Sequence, residues 1–178
     1  HREQQRGIRA GAAWTPIRPG TDTALLLAMG HEILARGWED KKFLATHCVG
    51  WDKLRAYITG ESDGVAKTPE WAAPITTIPA ETIRTLTAEI AKQPAMLTAT
   101  WSLQRADYGE QPYWMLTALA AMLGLIGKPG QGVAFGYGSV NGMGHPRREV
   151  PSFAMPATPN PTGFFIPVAV SYTHLTLP

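Results

Sequence analysis

The strongest constraint on the fold is a change of residue pattern in the second half of the chain. The run "AMLTAT" (95–100) is apolar and β-prone, whereas "EQPYWMLTALAAMLGLI" (110–126) has the composition of a buried helix. Between them lies "WSLQRADYG" (101–109), here called the polar connection, which is rich in groups that can stack or form hydrogen bonds. The pattern predicts a strand, the polar connection, and a helix from about Glu110 to Ile126 that ends at Gly127.

The first part of the chain shows a similar order of elements. "AAWTPIRP" (12–19) is predicted to be a short edge strand, because Pro16 cannot donate to a sheet ladder. "TALLLAMGHEILAR" (23–36) is apolar on nearly all sides and predicts a mostly buried helix, with Thr21 or Asp22 as N-cap and Gly37 at its end.

Shorter helices and loops are predicted over 38–73, and "PAETIRTLTAEIAKQ" (79–93) predicts a longer helix. The alternation of strands and helices predicts an α/β domain with a mainly parallel sheet over residues 12–132. Eight glycines and seven prolines lie between Gly127 and Pro167, so residues 133–169 are predicted to form a Gly/Pro-rich loop segment that leads to a next domain.

Composition excludes several classes of partner. The net charge is +2, and the Lys and Arg residues form no basic cluster, which argues against nucleic-acid binding. No apolar run reaches the length of a membrane span, so membrane insertion is not expected. The single cysteine, Cys48, excludes an internal disulfide.

Polar groups follow both predicted strands, where ligands bind in open α/β sheets. In "PGTD" (19–22), Gly20 permits close approach of a ligand to the backbone, Thr21 offers a hydroxyl and Asp22 a carboxylate. Each polar segment also opens a helix, and a helix N-terminus favours anions.

The polar connection adds a stacking ring at Trp101, a hydroxyl at Ser102 and a guanidinium at Arg105 that suits phosphate. Together the two segments suit a nucleotide-like ligand with a pyrophosphate. Each residue also has an ordinary structural interpretation. Asp22 can cap a helix, Trp101 can belong to the core, and Arg105 can form a surface ion pair.

Other motifs do not indicate chemistry. "GYGSVNG" (136–142) lacks the glycine spacing of a dinucleotide-binding fingerprint and has no predicted helix behind it. No Walker A sequence occurs, and the histidines lack metal-ligand spacing. Neither catalytic residues nor metal ligands are therefore predicted within this chain.

Taken as a set, four segments resemble one family. They are "WTPIRPGTDTALLLAMGHEIL", "GESDGVAKTPEWAAPITTIPAETIRTL", "WSLQRADYGEQPYWMLTALAAMLGLIGKPGQG" and "GYGSVNGMGHPRR". The set resembles molybdopterin oxidoreductases of the dimethyl sulfoxide reductase type, in the branch that reduces trimethylamine N-oxide, dimethyl sulfoxide or biotin sulfoxide. The resemblance covers roughly residues 12–169.

This resemblance implies a Rossmann-like cofactor-binding domain and a bis(molybdopterin guanine dinucleotide)molybdenum cofactor. It implies oxygen-atom transfer, in which the oxygen atom of an S-oxide or N-oxide is released as water with two electrons from the donor and two protons. It implies that Gly20, Thr21 and Asp22 contact one dinucleotide. It places the remaining three predicted cofactor residues nearer the pterin: Trp101, Ser102 and Arg105. The expected partners are the oxide substrate and an electron donor protein, either a c-type cytochrome or a reductase.

The same resemblance predicts that the chain is an internal part of a longer enzyme and is inactive alone, because the serine ligand of molybdenum belongs to an upstream segment. Residues 170–178 depart from the family pattern and are predicted to be a non-native tail. A periplasmic location is expected, or a cytoplasmic one if the protein is closer to biotin sulfoxide reductase. An alternative hypothesis is a self-contained α/β module that binds a nucleotide or a partner without redox activity.

Overall fold

The computed structural model describes residues 13–135. The elements in this range, in chain order, are α1 (Asp22–Arg36), α2 (Lys41–His47), α3 (Trp51–Thr59), α4 (Pro69–Thr76), α5 (Ala80–Lys92), β1 (Met96–Ala99), a 3₁₀ helix (Trp101–Arg105), α6 (Gln111–Met122) and β2 (Gly132–Phe135). The described part is therefore mostly helical, with a small two-stranded sheet.

Helix α1 is the centre of the core. It packs against α3, α4, α5 and α6, as expected for a helix that is apolar on nearly all sides. Ala28 and Ile33 of α1 are fully buried. The cluster around them contains Leu27, Met29, Ile58, Ala72, Ile78, Ile83, Met115, Leu119 and Met122. The predicted burial of α1 is confirmed.

The two strands pair in parallel, with Leu97 opposite Val133. Helix α6 lies between them in sequence and packs against both, which is the arrangement of a β-α-β unit. The sheet is parallel and the described part contains both helices and strands, as predicted, although the strand that pairs with β1 is β2 and not the predicted strand over 12–19. Strand β2 was not predicted, because its sequence, "GVAF", lies in the glycine-rich region and acquires strand structure through its pairing with β1.

The predicted strand over 12–19 is wrong for the residues that the structure describes. Residues 13–18 form no strand. Pro16 and Pro19 lack the N–H that a ladder requires, and the backbone N–H of Arg18 instead donates to the carbonyl of Thr76 in α4, at 2.9 Å. This segment therefore packs on a helix rather than joining the sheet.

The other helices lie close to their predicted positions. The segment 38–73 contains α2, α3 and the start of α4, and α5 lies within the predicted helix over 79–93. Helix α1 ends at Gly37, which has a φ of 65° and caps the carbonyls of Ile33 and Leu34.

Helix α6 ends at Met122 and not at the predicted Ile126. Gly124 has a φ of 60°, and the N–H of Leu125 turns back to the carbonyl of Ala120 at 2.9 Å. The helix therefore ends before Gly124, which lies three residues before the predicted stop at Gly127.

Within residues 13–135, no helix combines the length and apolar character needed to cross a membrane. The Gly/Pro-rich segment beyond Phe135 and the predicted non-native tail at 170–178 lie outside the described residues.

Candidate functional site

A cleft of about 530 Å³ opens between the start of α1 and the polar connection. We call it the α1 cleft. Its described lining residues are Gly20, Asp22, Thr23, Ser102, Leu103, Ala106, Asp107, Tyr108, Gly109, Gln111 and Pro112. The cleft therefore joins two segments that are about eighty residues apart in sequence.

The start of α1 forms one wall of the α1 cleft. Gly20 has a φ of 77°, a conformation that few other residues adopt, and it turns the chain into the helix. Thr21 occupies the N-cap position, but its hydroxyl donates to the carbonyl of Arg18 at 2.6 Å and makes no capping hydrogen bond. Asp22 is the first helical residue, is half-buried at the helix N-terminus, and lines the cleft.

The polar connection forms the opposite wall and is fixed at both ends. At its start, the side chain of Thr100 accepts a hydrogen bond from the N–H of Ser102. The hydroxyl of Tyr113 in α6 donates to the carbonyl of Thr100 at 2.6 Å. At its end, Gly109 lies so close to Gln104 that a Cβ atom would meet its backbone at 2.6 Å. Only glycine fits there without a shift of the chain.

Tyr108 stands at the edge of the α1 cleft in a costly conformation. Its φ is 52°, which is uncommon for a residue that is not glycine, and 71% of its surface is exposed. Its ring makes no stacking contact with another residue in the part of the chain that the structure describes. Strained residues of this kind are found disproportionately at ligand sites.

The charges around the α1 cleft are mainly negative. The N-termini of α1 and α6 both border it, and each contributes roughly half a positive charge. Asp22 and Asp107 each bring a full formal negative charge, and none of the described lining residues is Lys or Arg. The balance over the described lining residues is roughly one negative charge.

Of the six residues predicted to bind a cofactor, Gly20, Asp22 and Ser102 are brought together in the α1 cleft. Thr21 lies beside it, with its hydroxyl engaged by Arg18. The two connections are adjacent because α1 packs on α6, and not because both follow strands of one sheet.

Trp101 and Arg105 lie elsewhere on the polar connection. Trp101 lines a second cleft of about 550 Å³, together with Gln104, Glu110 and Tyr113. Arg105 is exposed at the end of the 3₁₀ helix, and its side chain makes no ion pair with another residue of the described range. The surface ion pair considered for Arg105 is thus not formed there.

Two further lining residues, Asp107 and Tyr108, received no role in the sequence analysis. The sequence feature that could have indicated a role for them is their position immediately before Gly109, where the polar connection turns most tightly. The left-handed backbone of Tyr108 cannot be read from the sequence. Among residues 13–135, no group of three or more His, Cys, Asp or Glu side chains is arranged to hold a metal ion.

Comparison with known proteins gives a consistent family assignment. Residues 3–163 match the family model "Molybdopterin oxidoreductase". The chain is 49% identical to a biotin sulfoxide reductase of Cereibacter sphaeroides over 158 residues, which cover 89% of this chain and 21% of that protein.

Two other relatives are similar in the same way. A dimethyl sulfoxide/trimethylamine N-oxide reductase of Cereibacter sphaeroides is 46% identical over 142 residues, covering 80% of this chain and 17% of the relative. Trimethylamine-N-oxide reductase 1 of Escherichia coli K12 is 44% identical over 133 residues, covering 75% of this chain and 16% of the relative. The chain thus spans about a fifth of the length of the curated relatives it matches.

Proposed function

Because the chain belongs to the molybdopterin oxidoreductase family, we propose that it forms part of a molybdenum-dependent reductase of S-oxides or N-oxides. The relatives that support this are named as reductases of biotin sulfoxide, dimethyl sulfoxide and trimethylamine N-oxide. These three oxides are the proposed substrate class. A separate electron donor protein and a periplasmic location are further proposals.

Within that enzyme, this chain binds part of a molybdopterin guanine dinucleotide. The observation that carries the proposal is the α1 cleft, in which Gly20, Asp22 and Ser102 meet from distant parts of the sequence. When bound, the molybdenum of this cofactor supplies oxygen-atom transfer. The residues of this chain supply binding and orientation, as proteins do for cofactors that perform the redox chemistry.

The residues present fit this role. Gly20 leaves its backbone open to a ligand, and the carboxylates of the α1 cleft accept hydrogen bonds. The hydroxyl of Ser102 shares a hydrogen bond with the hydroxyl of Thr100 at 2.5 Å and has capacity for a further one to a ligand. Arg105 is exposed and can pair with a phosphate outside the cleft, and Trp101 offers a ring on the other side of the 3₁₀ helix. Thr21 contributes through its backbone, since its hydroxyl is already bound.

A Rossmann-like arrangement is also proposed for this domain. The β1–α6–β2 unit supports it, because the polar connection follows the carboxyl end of β1, where ligands of open α/β sheets bind. Further parallel strands beside β1 or β2 would be required in the complete protein.

The test is to fill the α1 cleft in the complete reductase that contains this segment. Ser102 is exposed and lines the cleft, so Ser102→Trp places an indole in the ligand space without disturbing the core. We expect this variant to lose most of its molybdenum, measured by mass spectrometry, and most of the GMP that acid hydrolysis releases from the cofactor.

Ser62→Trp is the matched control, since Ser62 is also exposed but lies in a turn that does not line the cleft. It should retain both molybdenum and GMP. Full cofactor content in Ser102→Trp would contradict the proposal.

A further inference from the structure

We infer that an apolar groove between α2, α3 and α6 docks an acidic amphipathic helix from a part of the complete reductase outside these 178 residues. The inference rests on the proposed function, because it takes the chain to be part of a larger enzyme. It goes further, because it assigns a second surface to a partner of stated chemistry. The lining of the groove, its hydrogen-bonding capacity and the charges beside it support the inference.

The groove has a volume of about 440 Å³ and shares no described lining residue with the α1 cleft. At its edge Trp114 is 64% exposed and Val49 is fully exposed. An apolar surface with large exposed side chains is typical of a site where another protein segment binds. The apolar side chains that form the groove include Leu44 of α2, Trp51 and Leu54 of α3, and Trp114, Ala118 and Ala121 of α6.

Spacing along α6 shows how the groove can receive a helix. Trp114, Ala118 and Ala121 lie four and three residues apart, so they form one stripe along α6. The two alanines are small, which lets side chains from outside approach the backbone of α6 closely. The groove therefore has the form that accepts the apolar face of a second helix.

The lining offers few hydrogen-bond partners to an extended segment. None of the described lining residues has a charged or an amide side chain. Their one hydroxyl, that of Thr117, already donates to the carbonyl of Tyr113 at 2.9 Å. An extended segment would leave many of its own N–H and C=O groups unpaired here, whereas a helix pairs them internally. The hydrogen-bonding capacity of the groove thus favours a helix as its occupant.

The charges beside the groove indicate that this helix is acidic. Helix α6 carries no charged residue between Gln111 and Met122. Lys42 and Lys53 are exposed, and neither forms an ion pair within the described range. Carboxylates on the side of the occupant that faces α2 and α3 would pair with them. In α2, α3 and the loop between them, the exposed Lys, Arg, Asp and Glu residues are four cations and one anion: Lys41, Lys42, Lys53, Arg55 and Asp52.

Two other occupants fit the groove less well. In a symmetric dimer the groove would meet its own copy, so the four cations of one protomer would face those of the other. A separate protein would have to compete with the rest of the reductase, since this chain spans only 21% and 17% of two relatives. A segment of the same polypeptide has a high effective concentration and therefore fills the groove first.

The first experiment compares Val49→Cys in the complete reductase and in the 178-residue chain. The rate of maleimide labelling at position 49 is measured by peptide mass spectrometry. We expect labelling in the complete reductase to be slower by about tenfold or more, because the docked helix must first open locally. Ser62→Cys is the control, since Ser62 is exposed in a turn outside the groove, and it should be labelled at similar rates in both proteins.

The second experiment identifies the occupant and its charge. The photo-cross-linker p-benzoylphenylalanine, placed at position 114 of the complete reductase, should react with an acidic helix of the same polypeptide outside the 178 residues. Changing Lys42→Glu and Lys53→Glu together should raise the labelling rate of Val49→Cys in the reductase several-fold. Lys128→Glu, at another exposed lysine, should leave that rate unchanged.

Equal labelling of Val49→Cys in the two proteins would overturn the inference. Cross-links to a second copy, to a separate protein or to this chain itself would also overturn it, and an unchanged rate in the double lysine variant would overturn the acidic assignment. These measurements need neither cofactor nor activity. The inference can therefore fail while Ser102→Trp still loses molybdenum, and the proposed function can fail while Val49→Cys is still protected.

Discussion

His31, a half-buried residue of α1, gives the stability of the protein a pH dependence. Its Nδ1 atom is buried and has no hydrogen-bond partner in the described part of the chain. Burial is the main cause that lowers the pKa of His31 below its ordinary value, while the nearby carboxylates of Glu32 and Glu70 oppose that shift. The folded protein therefore holds His31 as a neutral imidazole more strongly than the unfolded chain does.

The consequence is a loss of stability on acidification. As the pH falls through the ordinary pKa of histidine, about 6.5, the unfolded chain takes up the proton before the folded protein does, so unfolding becomes more favourable. We expect the urea concentration at the unfolding midpoint to decrease when the pH is lowered from 7.5 to 5.5. His31→Leu should make this decrease smaller. His47→Gln, at an exposed histidine, should leave it unchanged. An identical pH dependence in His31→Leu would contradict this interpretation.

Lys67 is a second residue with a defined energetic role. Its side chain is 3% exposed, and its ammonium donates to Asp63 at 2.7 Å and to the carbonyls of Tyr57 and Val65. Its ammonium also lies 4.1 Å from the centre of the Tyr57 ring. Lys67 therefore holds together the turn over 60–64 and the end of α3.

Lys67→Met keeps the apolar stem and removes the charge, leaving these acceptors without their donor. We expect it to lower the free energy of unfolding by about 1–3 kcal/mol, the usual cost of an unsatisfied buried group. Lys53→Met changes an exposed lysine of α3 and should have little effect. The hydrogen bond from Lys67 also lowers the pKa of Asp63 below its ordinary value. The stabilisation that comes from the Lys67–Asp63 pair is therefore present at neutral pH and is lost as the pH falls through this lowered pKa. Equal stability of Lys67→Met and the wild type would refute the role.

At the scale of elements, the polar connection depends on Gly109. A Cβ at this position would lie 2.6 Å from the backbone of Gln104, which cannot move independently of the turn. We expect Gly109→Ala to lower the free energy of unfolding by about 1–3 kcal/mol, as in other overpacked sites, and to lower the molybdenum content of the complete reductase.

Gly30→Ala is the matched control, since its Cβ would meet side-chain atoms and no backbone: Ile58 and Met115 at 3.3 Å and Met122 at 3.6 Å. It should leave the molybdenum content unchanged. Normal molybdenum content in Gly109→Ala would show that the conformation of the turn does not position the cleft.

Elements with their own periodic pattern were predictable from the sequence, and elements that depend on a partner were not. The patterns of α1 and α5 reflect which faces are buried, and both helices lie where predicted. The segment 12–19 was predicted as a strand from its composition, but its prolines and the hydrogen bond from Arg18 to Thr76 direct it onto α4. Strand β2 has too short a sequence to be recognised without β1.

At the scale of the whole molecule, the sequence predicted that residues 19–22 and the polar connection lie together, and the structure places Gly20, Asp22 and Ser102 in one cleft. The reason it gave was wrong: the two segments do not both follow strands of one sheet, and they are adjacent because α1 packs on α6, a tertiary contact. It also left Asp107 and Tyr108 without a role, since their importance depends on a backbone conformation and on the summed charge of the cleft.

The central claim is that the α1 cleft belongs to the cofactor site of a larger molybdenum reductase. The most direct test is an experimental structure of the complete enzyme with its cofactor bound. We expect density for part of the molybdopterin guanine dinucleotide in the cleft lined by Gly20, Asp22 and Ser102. A cofactor bound elsewhere, with the cleft filled by solvent or by another part of the protein, would contradict the account.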